Sequence, residues 1–348
     1  MYINLGSRKI GAGLPTYIVA EIGINHNGNI ALAKKTILAA KNSGADAVKF
    51  QNYKTEDFVP IKDLEYEYVC QNNKIKEFQY DLFKRCELSD EQVIELKIFC
   101  DQNDIDFHST PTNSQGVDLL KKIGTRVLKN GSDYLTNLEL VEYMGKSGLP
   151  TVLSTGMALV GEVDDAVRVF KNTGNKNLIL LHCTSRYPTP AEDVHLKKIT
   201  TLRNTFGVIA GFSDHSEGLF AAIGSITYGA AWIEKHFTLD QNLPGPDHRF
   251  SSDPEKFRQM VDGIRYMEKA IGQPHLGPTE HEYSSREKFR LSCCAARDLL
   301  DGHILMENDI SFFRPGNGYL PKNKPLLLGK KINRSLNKGA LIQIEDIS

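Results

Sequence analysis

The chain has 348 residues, 41% hydrophobic and 24% charged, with a formal net charge of −1 at neutral pH. That length suits one large domain plus a small one. The near-zero charge leaves no nucleic-acid or membrane-surface footprint, no apolar run approaches bilayer-spanning length, and residues 1–13 lack the basic-then-apolar pattern of a signal peptide.

Short β-branched and apolar runs alternate with amphipathic stretches from Tyr17 to about Gly272. The pattern predicts strands over residues 17–21, 47–50, 106–109, 127–130, 150–154, 177–182, 208–213 and 231–236. A helical pattern follows each. The stretch 31–43 ends before Gly44, and 137–147 follows Thr136, the expected N-cap. The stretch 254–272 starts after Asp253 with Pro254 at its first position. Eight βα units of this size predict a TIM (β/α)8 barrel over residues 1–272. The long segment 52–88, between the second strand and its helix, reads as an active-site lid or insertion. Residues 273–288, rich in Gly, Pro and charge, read as a linker. Residues 289–348 read as a small, mostly β module that docks on something larger. The six cysteines form no C-x-x-C pair, and adjacent Cys293 and Cys294 suit no disulfide with each other, so free thiols and a cytoplasmic location are expected.

In such a barrel the functional groups come from the carboxyl ends of the strands. Nearly every predicted strand here ends in polar or reactive residues: Glu21; Lys49 and Gln51; Ser109 and Thr110; Lys129 and Ser132; Ser154; His182 to Ser185; Ser213 to His215; Glu234 to His236. His215 and His236 end adjacent strands and can converge on one point, where two neutral imidazoles suit a divalent metal with open positions. Two lysines and three hydroxyls (Lys49, Lys129, Ser132, Ser154, Ser213) form a donor set that suits a phosphate. The competing reading pairs one or both lysines with Glu21 or Glu234. A phosphate ester beside a metal-activated carbonyl suggests carbon–carbon bond formation from a phosphorylated enol. His26 and His108 read as loop or core histidines, and Asp247 as either a turn residue or a substrate contact.

The strings A-E-I-G-I-N-H-N-G (20–28), A-V-K-F-Q (47–51), S-T-P (109–111), S-T-G-M (154–157), G-F-S-D-H (211–215), E-K-H-F-T (234–238) and P-G-P-D-H (244–248) occur in an order that resembles the sialic acid synthase family. S-C-C-A-A-R-D-L (292–299) and F-R-P-G-N-G-Y (313–319) resemble that family's antifreeze-like domain. The resemblance implies condensation of phosphoenolpyruvate with N-acetylmannosamine or a related acylamino sugar, giving a nonulosonic acid and phosphate. It implies Mn2+ or Mg2+ on His215 and His236. Phosphoenolpyruvate would be held by Lys49, Lys129, Ser132, Ser154 and Ser213. Glu21, Gln51, Tyr187 and Asp247 would face the sugar or the metal-bound water, with Thr110 and Ser185 as further substrate contacts. Glu21 and Asp247 are the candidate catalytic carboxylates. Arg314 would reach the sugar's acyl group from a partner subunit, because the family exchanges C-terminal domains across a dimer.

Two positions depart from the family pattern on the sugar side: Tyr134, where a carboxylate is usual, and the Ser185-Arg186 pair. Alternatives within enzymes are a legionaminic- or pseudaminic-type synthase, or a keto-deoxy-octulosonate-type synthase acting on a phosphorylated aldose, whose second phosphate Arg186 and Arg249 would meet. The alternative outside enzymes is a sugar-binding protein.

Overall fold

The computed structural model describes residues 1–71 and 73–348, which divide into two compact units, Met1–Gly272 and Gln273–Ser348. An N-terminal hairpin, β1 (Tyr2–Leu5) and β2 (Arg8–Gly11), precedes the first barrel strand, β3 (Tyr17–Gly23). Next come β4 (Ala47–Asn52), a second antiparallel hairpin of β5 (Glu65–Cys70) and β6 (Asn73–Phe78), and β7 (Asp106–Pro111). Then follow β8 (Leu128–Asn130), β9 (Thr151–Ser154), β10 (Leu178–His182), β11 (Ile209–Asp214) and β12 (Trp232–His236). Eight of these form one parallel ladder in the order β7-β4-β3-β12-β11-β10-β9-β8. Its end strands β7 and β8 pack side by side, so the sheet is a nearly closed (β/α)8 barrel, as the alternation of patterns predicts.

Period-two alternation puts two different cores on the two faces of one sheet. Ile18, Ala20 and Ile22 of β3, Val48 and Phe50 of β4 and Ile233 of β12 face outward onto the helix layer. Tyr17, Val19, Ala47, Val127, Val152, Ile179, Leu181, Ile209 and Trp232 face inward. Ile3, Leu5 and Ile10 of the β1–β2 hairpin join this inner cluster and plug the end of the barrel where the strands begin. The sequence reading placed no element there. Each such fully buried aliphatic side chain stabilises the fold by about 1.5–3 kcal/mol.

Local signals fix most boundaries. Helix Ile30–Asn42 is capped by the side chain of Asn29, and helix Pro254–Ala270 by Asp253, with Pro at its first turn. One expected cap is corrected: Asn137, not Thr136, accepts from Leu140 N–H and starts helix Leu138–Lys146. Segment 52–88 is ordered as helix Thr55–Phe58, the β5–β6 hairpin and helix Gln79–Cys86. Among the described residues no helix is long and apolar enough to cross a membrane.

In the second unit the stretch read as a linker runs into a helix, Glu280–Phe289, at whose start the Glu282 carboxylate accepts from Thr279 N–H and Oγ1–H. Beyond it lie β13 (Ser292–Ala295), paired antiparallel with β14 (Ile310–Phe313), and isolated bridges around a core of Cys293, Leu299, Leu305, Ile310, Ile332, Leu336 and Ile342. This unit is internally duplicated. Leu299 and Leu336 exchange both backbone hydrogen bonds at 2.8 Å. Ala295 N–H to Ala340 O (2.9 Å) is mirrored by Ile332 N–H to His303 O (2.8 Å). Asp309 accepts from Met306 N–H and pairs with Arg297; Asp346 accepts from Gln343 N–H and pairs with Arg334. An approximate two-fold axis therefore passes through the Leu299–Leu336 pair.

Candidate active site

A cavity of about 440 Å3 opens at the carboxyl ends of the barrel strands. It is lined by Glu21, Lys49, Gln51, Thr110, Lys129, Ser132, Ser154, Ser185, Tyr187, Ser213, His215, His236 and Asp247. Every site residue expected in the first unit is thus in one place. Arg314 belongs to the second unit, where its guanidinium lies 5.2 Å from the ring centre of Phe289.

The floor is ionic. Lys49 Nζ lies 2.6 Å from Glu21 Oε2 and 3.6 Å from Glu234 Oε1, and donates to Thr110 Oγ1 at 3.1 Å. Lys129 Nζ donates to Ser154 Oγ at 2.7 Å and lies 3.7 Å from Glu234 Oε1. Both readings of the lysines therefore hold together: they face the cavity, and they are ion-paired. Burial would lower Lys49, but Glu21 and Glu234 outweigh it and hold its ammonium above the ordinary value. Lys129 lacks so close a carboxylate, and burial lowers it. Burial would raise Glu234, yet Lys129 and Lys49 pull it down, so it carries the charge. Glu21 goes the other way: burial pushes it up to about 7 against the pull of Lys49.

The two histidines stand above this floor with ring centroids 5.7 Å apart. Burial drives His215 down to about 4 and, with the neighbouring His215, drives His236 well below its ordinary value. Both rings are neutral at pH 7 and offer a lone pair. Nδ1 of His215 donates to Thr184 O at 2.8 Å, which leaves Nε2 as the acceptor nitrogen. Nδ1 of His236 is buried, without a hydrogen bond among the described residues, and lies 3.8 Å from Asp247 Oδ2. Among the described residues no group of three or more His, Cys, Asp or Glu is arranged to hold an ion. The donor set fits a divalent ion with two imidazole ligands, its other positions left to substrate and water.

Asp247 is in the cavity wall, and burial alone pushes it up to about 7. A Cβ placed on Gly23 would meet Glu21 Oε1 at 3.1 Å and both Asp247 Oδ2 and Gln51 Nε2 at 3.7 Å, so these three groups share one corner. A second crowded point is Gly156, whose N–H donates to Ser132 Oγ at 3.0 Å. A Cβ there would sit 2.4 Å from Ser185 Oγ and 2.7 Å from Ser132 Oγ, so only glycine leaves those hydroxyls open.

Several strand-end groups do not face the mouth. Asp214 and Lys235 alternate outward and form a buried 2.8 Å ion pair behind the sheet, where Asp214 also binds Ser216. His182 turns outward to Val194 O at 2.6 Å. Arg186 pairs with Asp193 at 2.9 Å, and neither it nor Arg249 lines the cavity, which corrects their expected place on the sugar side; Tyr134 does line it. His26 and His108 are buried outside the lining, as expected of loop and core histidines.

The sequence reading missed the far wall. Tyr53, Phe58, Tyr66 and Phe83 come from segment 52–88, and Phe250 packs against His236 and Tyr187 with centroids at 5.1 and 5.2 Å. The unexplained length of 52–88 was their only signal. Glu234 lies between the two lysines, as the competing reading of Lys49 and Lys129 expects.

The NeuB family matches residues 36–275, and the SAF domain matches residues 292–348. An uncharacterized protein of Methanocaldococcus jannaschii is 43% identical over 99% of this chain and 98% of its own length. The N,N'-diacetyllegionaminic acid synthase of Legionella pneumophila is 37% identical over 98% of this chain and 97% of its own. The crystal structure of N-acetylneuraminic acid (sialic acid) synthetase from Leptospira borgpetersenii superposes with a TM-score of 0.74 at 34% identity, covering 82% of this chain and 95% of that one.

Proposed function

This chain belongs to the NeuB family, and we propose that it condenses phosphoenolpyruvate with an unphosphorylated acylamino aldose to give a nonulosonic acid and inorganic phosphate. The observation that carries the reading is one cavity with Lys49 and Lys129 at its floor and two neutral imidazoles above them. Lys49, Lys129 and the hydroxyls of Ser132, Ser154 and Ser213 bind the phosphate and carboxylate groups of phosphoenolpyruvate. His215 and His236 would hold Mn2+ or Mg2+, which when bound would supply Lewis-acid polarisation of the sugar's aldehyde.

The enol carbon of phosphoenolpyruvate forms the new bond to the aldehyde carbon, and the aldehyde oxygen takes a proton. Asp247, held near 7 by burial, carries that proton beside the imidazoles. Positive charge develops at the carbon bearing the phosphate, and Glu21 faces it from the floor. Water adds to that carbon, with Glu21 taking one proton; the C–O bond then breaks as the new hydroxyl becomes the ketone, and phosphate leaves with its bridging oxygen and that hydroxyl's proton.

The nature of the sugar follows from the remaining walls. Tyr53, Phe58, Tyr66, Phe83, Tyr134, Met157 and Phe250 make the upper end aromatic and apolar. The lysines at the floor are its only cationic side chains at neutral pH among the described residues, so a second phosphate has no partner within the first unit. This disfavours a phosphorylated aldose and favours a deoxy, acylated sugar of the legionaminic type, with N-acetylmannosamine as the alternative. A domain-exchanged homodimer in which Arg314 completes the partner's site, and a cytoplasmic location in accord with six free cysteines, are parts of the same proposal.

The test mixes purified protein, divalent metal and phosphoenolpyruvate with a panel of acylamino hexoses in oxygen-18 water, followed by mass spectrometry. A nine-carbon ketoacid carrying label, with unlabelled phosphate, is expected. Label in phosphate overturns the C–O cleavage, and no product with any sugar overturns the reading.

A further inference from the structure

Below the ion-paired floor the barrel holds a second polar layer that the reaction above does not use. His108 of β7 is fully buried, and its ring stacks on Trp232 of β12 with centroids 5.4 Å apart. Tyr17 Oη donates to Asp106 Oδ2 at 2.6 Å, so it accepts from Nε2–H of His108 at 3.1 Å. That chain fixes the tautomer, with the proton on Nε2 and the lone pair on Nδ1. The ring is neutral, because burial drives it to about 3.

Three atoms of this layer are left over. Nδ1 of His108, Nε1–H of Trp232 and Oε2 of Glu234 are buried and make no hydrogen bond among the described residues. Two are acceptors and one is a donor, a set that the two O–H groups and a lone pair of a single water match in kind, and leaving buried polar groups unmet is costly. Strands β3 and β4 separate β12 from β7; the row in register with Glu234 runs through Val19 and Ala47 to Asp106, and His108 is the next inward residue along β7.

We propose that an ordered water sits in this layer, donating to His108 Nδ1 and Glu234 Oε2 and accepting from Trp232 Nε1–H, and that the Asp106–Tyr17–His108 chain thereby positions Glu234. The relay keeps Oε1 of Glu234 turned toward Ser213, Lys49 and Lys129. It sets the lysine pair from beneath without touching substrate. The water site is independent of the functional reading; the kinetic consequence rests on it.

A high-resolution crystal structure of the wild-type protein tests the site without turnover. Density within hydrogen-bond reach of all three atoms is expected, and a dry layer or protein partners for those atoms overturns it. The His108→Leu structure tests the relay: Glu234 swung off Lys129 is expected, and an unmoved Glu234 overturns it. Kinetically, His108→Leu raises the KM for phosphoenolpyruvate about tenfold, the effect of about one net hydrogen bond, with kcat and the sugar KM held within about twofold. His108→Gln, which keeps an acceptor, recovers most of that loss. A wild-type KM in His108→Leu, or equal impairment in the two variants, overturns the relay. A protein inactive with phosphoenolpyruvate defeats the functional reading alone, since the two crystal structures still decide the water and the relay.

Discussion

Lys49 and Glu21 form a 2.6 Å ion pair inside the barrel, with side chains only 5% and 3% exposed. The cation proposed to meet an anionic substrate is thus already paired, and its partner is a carboxylate that burial holds at about 7. The two ends of this pair have separable functions. Lys49→Met should raise the KM for phosphoenolpyruvate by roughly 10- to 100-fold, as expected for a lost charge-assisted hydrogen bond. Glu21→Gln should instead lower kcat by about 10²-fold or more with a smaller effect on that KM, as for a lost proton carrier. Steady-state kinetics of both variants check this, and matching profiles would remove the distinction.

Metal dependence should be visible without turnover. A chelator should abolish activity, and Mn2+ or Mg2+ should restore it. His236→Ala should weaken Mn2+ binding measured by electron paramagnetic resonance on substrate-free protein. Affinity equal to wild type would remove His236 from the ligand set.

Tyr134 and Arg186 should differ in their effect on sugar choice, because Tyr134 lines the cavity and Arg186 is turned to Asp193. Tyr134→Glu should change the ratio of kcat/KM between two acylamino sugars about tenfold, within the range one pocket contact can discriminate. Arg186→Ala should leave that ratio unchanged. A shift with Arg186→Ala and none with Tyr134→Glu would reverse the assignment.

Asp247 gives a pH signature of stability. Burial raises it to about 7 in the folded protein, against about 4 in the unfolded chain. Between those values the folded state binds more protons than the unfolded one, so this group makes stability fall as pH rises from about 4 to 7. With chelator present, Asp247→Asn should therefore melt above wild type at pH 8, and the difference should vanish near pH 4. Thermal melts across that range decide it; a variant less stable at pH 8 contradicts the assigned burial cost.

If Arg314 completes a partner's site, inactive His236→Ala and inactive Arg314→Ala subunits should complement each other. Some mixed dimers then hold one cavity with both residues intact. Mixing with verified subunit exchange should recover activity, and none recovered would place Arg314 elsewhere.

The sequence by itself determined the barrel and the strand-end residues that line its mouth. Short, nearly continuous apolar runs at regular spacing, each followed by a helical pattern, can bury both faces as a parallel sheet under helices, and the ends of such strands converge by construction. That logic sufficed for Lys49, Lys129, His215 and His236. The duplication of the second unit was also there to be read, in Arg297/Arg334, Gly302/Gly339 and Asp309/Asp346 at one constant offset, and was missed because too few residues match. Only the tertiary structure decided which polar neighbour turns inward. Glu234 and Lys235 are adjacent, yet one neutralises two lysines in the cavity and the other pairs with Asp214 behind the sheet. Strand alternation separates them, but which of the two faces the cavity is set by the register of β12 against β3 and β11. The protonation states of Glu21 and Asp247 were equally out of reach, because a pKa depends on burial and on the neighbours that the fold brings together across the barrel.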